Sequence, residues 1–221
     1  MEVLQSKGVK LLYHANTVAT SCTFLSHATL MARGVVAESG LHQTTQFTDH
    51  LDKRYGIWHD LFFDVVDIHD RKHDINLYGP VLFAFDIQVL TEDWLTSVLV
   101  TKKNPSRWSD GEQDSERYFA TVDEFEADYK IGDFGSMILI RSSEGKLSLK
   151  EHLKLVSLDD PMRREGSVEL YSYALGALTL ASRLGGIKDV KPKRRVCRDI
   201  CKCKGSYGKI DVYELGRLFA P

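Results

Sequence analysis

No apolar run in these 221 residues approaches the roughly 18 needed to span a bilayer. The opening MEVLQSKGVKLLYHAN also lacks the basic start and apolar stretch of a secretory signal. No membrane partner is expected, and the expected compartment is the cytoplasm. Cysteine is scarce: Cys22 stands alone, while Cys197, Cys201 and Cys203 fall within seven residues, which suits a reduced compartment better than a secreted disulfide scaffold. Internal repeats and low-complexity segments are missing, which excludes solenoids and arrays. With 43% hydrophobic and 27% charged residues, disordered and fibrous classes are excluded as well. What remains is a folded enzyme or binding module with enough chain for a sizeable core.

The formal net charge of −2 hides a bipolar distribution. From Asp110 to Asp133 nine acids face only Arg117 and Lys130, whereas from Lys188 to Lys209 nine bases face only Asp189 and Asp199. A cationic block of that density is a candidate for contact with phosphate. Gly185-Gly186 precedes it, so the expected division is a body over residues 1–185 and a basic, cysteine-containing extension over 186–221.

The stretch from Tyr55 to Leu90 anchors the reading. Its apolar and β-branched runs Leu61 to Ile68 and Pro80 to Ile87 predict two core strands around a charged loop, with Gly79-Pro80 opening the second. Val9 to Tyr13 predicts a strand that delivers His14 to an edge. Thr20 or Ser21 can cap a helix running to about Arg33 and ended by Gly34. Glu38 to Tyr55 is polar, without core periodicity, and reads as a binding loop. Thr91 to Val100 predicts a short helix, and Asn104 to Asp133 a long, partly helical excursion. Ser136 to Arg141 and Leu153 to Leu158 predict a closely spaced strand pair across SSEGK. Glu169 to Leu184 predicts a helix whose core face includes Leu170, Tyr173, Ala174, Leu178 and Leu184. The fold class is therefore α+β, a mixed or antiparallel central sheet with flanking helices.

Tyr13-His14 followed by polar residues and a helix, the stretch Gly56-Ile57-Trp58-His59-Asp60-Leu61-Phe62-Phe63, and the strand Gly79-Pro80-Val81-Leu82-Phe83 together resemble the ADP-ribosyltransferase fold. In particular they resemble the DarT-like transferases that modify nucleic acid, over residues 10 to 158 as an order of elements. The resemblance implies an enzyme that uses nicotinamide adenine dinucleotide (NAD), modifies DNA or RNA as a bacterial toxin or phage-defence effector, and has a neutralising antitoxin. It implies a ribose-gripping role for His14, with Asn16, Thr17, Gln46 and Tyr55 as further candidate NAD contacts. Arg33, Asp49 and Lys53 are the candidate catalytic residues. Lys193, Arg194, Arg195 and Arg198 are the candidate nucleic-acid contacts. Breaking the nicotinamide bond passes through an oxocarbenium-like state, which needs held riboses, a nearby carboxylate and exclusion of water.

The chain departs from that family at one point. The strand that matches the one headed by the family's catalytic Glu begins Gly135-Ser136-Met137, with Asp133 and Glu144 as the nearest acids and Asp49, Asp64 and Asp67 able to approach from elsewhere. Asp64 and Asp67, three apart on a strand, would face opposite ways, so at most one meets a given cleft. Two other readings stand beside the transferase. One is a non-catalytic nucleic-acid-binding module that works through its basic tail. The other is a two-metal nuclease built on Asp60, Asp64, Asp67, His69 and Asp70. His14 can equally be a hydrogen-bonded structural residue at a strand end. No metal is assigned from the sequence: Cys197, Cys201 and Cys203 are compatible with zinc if a fourth ligand comes from far away, Cys22 or a His, and equally with free thiols.

Overall fold

The computed structural model describes residues 1–132, 135–142 and 144–221. Its first half runs α1 (Glu2–Ser6), β1 (Leu11–Asn16), α2 (Val18–Ser26), β2 (Thr29–Met31), α3 (Arg33–Glu38), α4 (Asp49–Arg54), β3 (Leu61–Phe63), α5 (Ile68–Lys72), β4 (Val81–Asp86) and β5 (Leu95–Val100). The second continues with α6 (Asp114–Arg117), α7 (Val122–Asp128), β6 (Ile138–Ser142), β7 (Lys146–Ser148), β8 (Leu153–Leu158), β9 (Arg164–Glu165), β10 (Val168–Glu169), α8 (Leu170–Leu184), β11 (Lys193–Arg194), α9 (Cys203–Lys209) and α10 (Val212–Phe219).

Two sheets organise these elements. One has the order β1-β4-β8-β11, antiparallel except for the parallel β8/β11 pair, and the other is the antiparallel trio β3-β6-β5. They touch at one bridge, where Tyr13 of β1 and Asp64, just past β3, exchange both backbone hydrogen bonds at 2.8 and 2.9 Å. Beyond that bridge β1 and β3 diverge. Phe83, Phe85 and Val156 of the first sheet and Phe63, Ile138 and Ile140 of the second are fully buried in one continuous core. Helices α2 and α8 pack on each other, and α10 adds Leu215, Leu218 and Phe219 to the same core. The approach at the end of α8 is close: a Cβ on Gly185 would stand 2.0 Å from the Leu25 carbonyl oxygen.

Several local expectations are corrected. The helix expected to run to Arg33 stops at Ser26, because Ala28 turns left-handed (φ 49°) and Thr29–Met31 pairs with β7 instead. Gly34 is no terminator; it lies in α3, where its missing side chain leaves room for the His59 ring. The strand expected over Leu61 to Ile68 ends at Phe63, since the Asp67 carboxylate accepts from the backbone of His69 and Asp70 and so starts α5. The helix expected at Thr91 to Val100 is mostly strand β5, in keeping with the β-branched content of Leu95–Val100. The polar stretch before Tyr55 contains α4. The strands expected as a pair across SSEGK, β6 and β8, belong to different sheets. On α8 the buried face is Leu170, Tyr171, Ala174, Leu178 and Ala181, leaving Tyr173 and Leu184 exposed.

Candidate active-site cleft

Where β1 and β3 part, the molecule is cut by a cleft of about 750 Å³, its solvent-filled mouth included. Strand alternation supplies one wall. Asp60, Phe62 and Asp64 line the cleft together with the buried edge of Leu61, while Phe63 and Val65 bury their side chains in the core at 0% and 8% exposure. The end of β1 supplies another, with Tyr13, His14 and Asn16. It is held in place by Gly79, at φ 152°, where a Cβ would fall 2.1 Å from the Asn16 carbonyl. Only glycine allows the chain entering β4 to approach β1 so closely.

The His14 ring has one fixed proton. Its Nδ1 lies 2.9 Å from the Phe62 carbonyl oxygen, which can only accept, so Nδ1 carries the hydrogen and Nε2 keeps a lone pair, 3.4 Å from the Asn16 amide nitrogen. Burial lowers the imidazole pKa from 6.5 to about 4, the Phe62 bond opposing and Arg33 assisting, so the ring is neutral at physiological pH. The polar loop closes over this strand end. Gln46 donates to Asn16 at 3.4 Å, and Thr17 of the turn into α2 donates to Thr44 at 2.7 Å. Arg33 is clamped by Asp49, with Nη2 to Oδ2 at 2.7 Å and Nε to Oδ1 at 2.5 Å, and also donates to the Thr44 carbonyl. Among the described residues its buried Nη1 has no hydrogen-bond partner.

Three carboxylates face the cleft in different electrostatic states. Asp60 is held by a two-pronged Arg141 contact at 3.0 and 2.7 Å. Desolvation, helped by Asp67 and opposed by Lys72, raises the Asp64 pKa from 3.8 to about 7. Desolvation, helped by Asp49 and opposed by Arg33, raises that of Asp52 equally far. Tyr78, also in the wall, is pushed up to about 12 by burial and by those two acids, so it keeps its hydroxyl proton. Its ring stacks on the exposed Phe47 with centroids 5.4 Å apart.

The cleft thus gathers His14, Asn16, Arg33 and Gln46 among the residues singled out from the sequence. Thr17 is fully buried behind it, and Asp49 serves Arg33. Lys53 lies over the Trp58 ring at 4.6 Å, and Tyr55 donates to the Trp108 carbonyl at 2.6 Å; neither lines the cleft. Asp133 lies outside the described residues, and Glu144 is exposed beyond β6. Sequence reasoning missed Asp52, Asn76, Tyr78 and Asn104 as wall residues, because they come from loops and a short helix with no periodic signal. Asp64 was legible in the sequence as an acid able to approach the site, and Asp60 only as a member of the nuclease reading.

The basic segment is not a uniform solvated stripe. Lys193 is exposed, Arg194 pairs with Asp160 at 3.4 Å and covers the Tyr171 ring, and Arg198 pairs with Asp70 at 3.1 Å. Arg195 is turned inward to Asp67 and Asp159. The carboxylates of the nuclease reading are likewise dispersed: Asp60 goes to Arg141, Asp67 to Arg195 and Asp70 to Arg198. Among the described residues, one group could hold a metal ion, His69 with Cys197, Cys201 and Cys203, and it shares no residue with the cleft. No described helix is long and apolar enough to cross a membrane.

No protein-family model matches the chain, and no curated protein matches it in sequence. Solved structures do match. DarT of Thermus sp. 2.9 in complex with ADP-ribosylated single-stranded DNA superposes with a TM-score of 0.54 at 10% identity, over 85% of this chain and 94% of that one. The same protein in complex with NAD+ gives 0.50 at 8% identity, over 85% and 96%. At that identity the likeness is one of fold: the chain has an α+β ADP-ribosyltransferase-like architecture resembling DarT.

Proposed function

We propose that this chain is an ADP-ribosyltransferase that takes NAD into the cleft between β1 and β3 and transfers ADP-ribose to a base of single-stranded DNA or RNA. The observation that carries this reading is the convergence, beside an acid that has no ion-pair partner among the described residues, of a neutral imidazole with a fixed lone pair, a paired amide and a partly unsatisfied guanidinium. Two of the solved structures that share the fold are DarT complexes, one with NAD+ and one with ADP-ribosylated single-stranded DNA.

In this reading His14 Nε2 accepts from a ribose hydroxyl, Asn16 and Gln46 complete the polar end, and the unpartnered Nη1 of Arg33 meets the pyrophosphate. The glycosidic bond breaks with its electron pair leaving on nicotinamide. The acceptor's lone pair attacks the anomeric carbon, and Asp64 takes the proton the acceptor loses. Asp60, fixed by Arg141, stabilises the positive charge developing on the ribose. A carboxyl with a pKa of about 7 suits the base role, because it is half ionised near neutrality. The Phe47–Tyr78 pair offers an exposed aromatic face on which an unpaired base can stack.

Incubation with NAD labelled in its adenylate half and single-stranded DNA or RNA tests the proposal; the expected result is label on the nucleic acid with release of nicotinamide. Intact NAD and unlabelled nucleic acid would sink it. An enzyme that modifies its host's nucleic acid is harmful, so we assign it a toxin or phage-defence role with a neutralising protein partner. Expression in bacteria should arrest growth, and the Asp64→Asn variant should not.

A further inference from the structure

We propose that His69, Cys197, Cys201 and Cys203 form a closed structural zinc site that fastens the C-terminal segment to α5 and β8. Their ligand atoms all lie within 4.8 Å of one another. His69 Nε2 is 3.2 Å from Cys201 Sγ and 3.5 Å from Cys197 Sγ, and Cys197 Sγ is 3.6 Å from Cys203 Sγ. A tetrahedral zinc with Zn–S of about 2.3 Å and Zn–N of about 2.0–2.1 Å separates its ligands by roughly 3.5–3.8 Å. These three edges need to open by at most a few tenths of an ångström, and the widest separation, up to 4.8 Å, to close by about 1 Å, to admit the ion.

The surroundings of the histidine argue for a ligand rather than a chance contact. His69 is 1% exposed, and its Nδ1 lies 2.8 Å from the carboxylate of Asp159, itself 2% exposed. That bond puts the hydrogen on Nδ1 and directs the Nε2 lone pair at the sulfurs, the carboxylate–histidine arrangement that orients zinc-bound imidazoles. Asp159 also accepts from Tyr207 at 2.6 Å and from Arg195 at 2.5 Å, so its position is fixed from three sides. Four protein ligands leave no open coordination position, and none of them lines the cleft, so the ion's role is structural rather than catalytic.

The site also has mechanical work to do. Between the end of α8 and the start of α9 the chain has only the two-residue strand β11 as regular structure. A metal there joins residues 128 apart in sequence, His69 and Cys197, and closing so long a loop removes entropy from the unfolded chain. The spacing Cys197-x3-Cys201-x-Cys203 lacks the paired CxxC signature, and only the fold brings in the fourth ligand.

The test is elemental analysis of the full-length protein purified without chelator, together with replacement by cobalt(II). The expected result is about one zinc per chain, and a cobalt form with intense visible bands of tetrahedral geometry and thiolate-to-metal charge-transfer absorption. Stripping the metal should lower the melting temperature, and Asp159→Asn should weaken affinity by roughly 10–100-fold while leaving the cobalt spectrum tetrahedral. Cys201→Ser should lose the metal; should it fail to fold, the wild-type metal content and cobalt spectrum still decide. Absence of stoichiometric metal with octahedral cobalt only, free thiols whose reactivity metal does not change, or a Cys197–Cys203 disulfide found by mass spectrometry would each overturn the proposal.

Discussion

Asp64 and His14 line the same cleft from two different walls yet are pushed in opposite directions on the pH axis by the same cause, desolvation of the charged form. If Asp64 is the base, activity should rise with pH and level off above about 7, without a second limb near 6.5, because His14 has already lost its proton at about 4. A pH–rate profile checks this. Asp64→Asn should lower turnover by roughly 10²–10⁴-fold, and His14→Ala should mainly raise the KM for NAD, by about tenfold for one lost hydrogen bond. Stability follows with a definite sign. Between 3.8 and about 7 folded Asp64 holds a proton that the unfolded chain has released, so raising the pH through that window disfavours the folded state. Asp64→Asn should therefore raise the melting temperature at about pH 8 and do little at about pH 4, which calorimetry can read. For His14, whose folded value is depressed, stability is lost as pH falls from 6.5 through about 4.

At the scale of elements, the packing of α2 against α8 depends on the glycine that ends α8. A methyl group at Gly185 would meet the Leu25 carbonyl at 2.0 Å, backbone that cannot rotate away, so Gly185→Ala should destabilise by roughly 1–3 kcal/mol. Denaturant titration measures that. Helix α10 presses Leu215 and Phe219, both fully buried, into the same core. Phe219→Ala should cost about 3–5 kcal/mol, a large change for a helix at the end of the chain. Helix boundaries in this region were partly visible beforehand. The stop at Gly185-Gly186 and the spacing within Leu170–Leu184 are local signals, whereas which of Tyr171 and Tyr173 turns inward depends on where α2 lies. The same holds for Leu95–Val100, whose identity as a strand comes from its pairing with β6.

At the scale of the whole molecule, the basic segment separates into surface charge and internal structure. Arg195 bridges Asp67 and the buried Asp159, with only 11% of its side chain exposed. Arg195→Ala removes the guanidinium from the buried Asp159 carboxylate, leaving it only His69 and Tyr207, and should destabilise by roughly 3–5 kcal/mol, seen as a lower melting temperature. Lys193→Ala and Arg198→Ala should leave stability nearly unchanged. If the segment contacts single-stranded nucleic acid, each should flatten the log–log salt dependence of binding by up to about 0.7. Unchanged slopes in both would assign nucleic-acid contact to another surface.

Periodicity and punctuation lie along the chain itself, so the sequence alone determined the α+β class, the strands around His14 and Val81–Asp86 and the helix after Glu169. The tertiary structure decided what depends on distance between remote residues. It separated β6 from β8, gave Asp49 to Arg33 as an ion-pair partner, drew Asp52 and Tyr78 into the cleft wall, and turned Arg195 inward. It also carried His69 to three cysteines more than a hundred residues away. The physical reason is that desolvation and charge pairing, which set the behaviour of these groups, are properties of the space around a side chain and not of its neighbours in the chain.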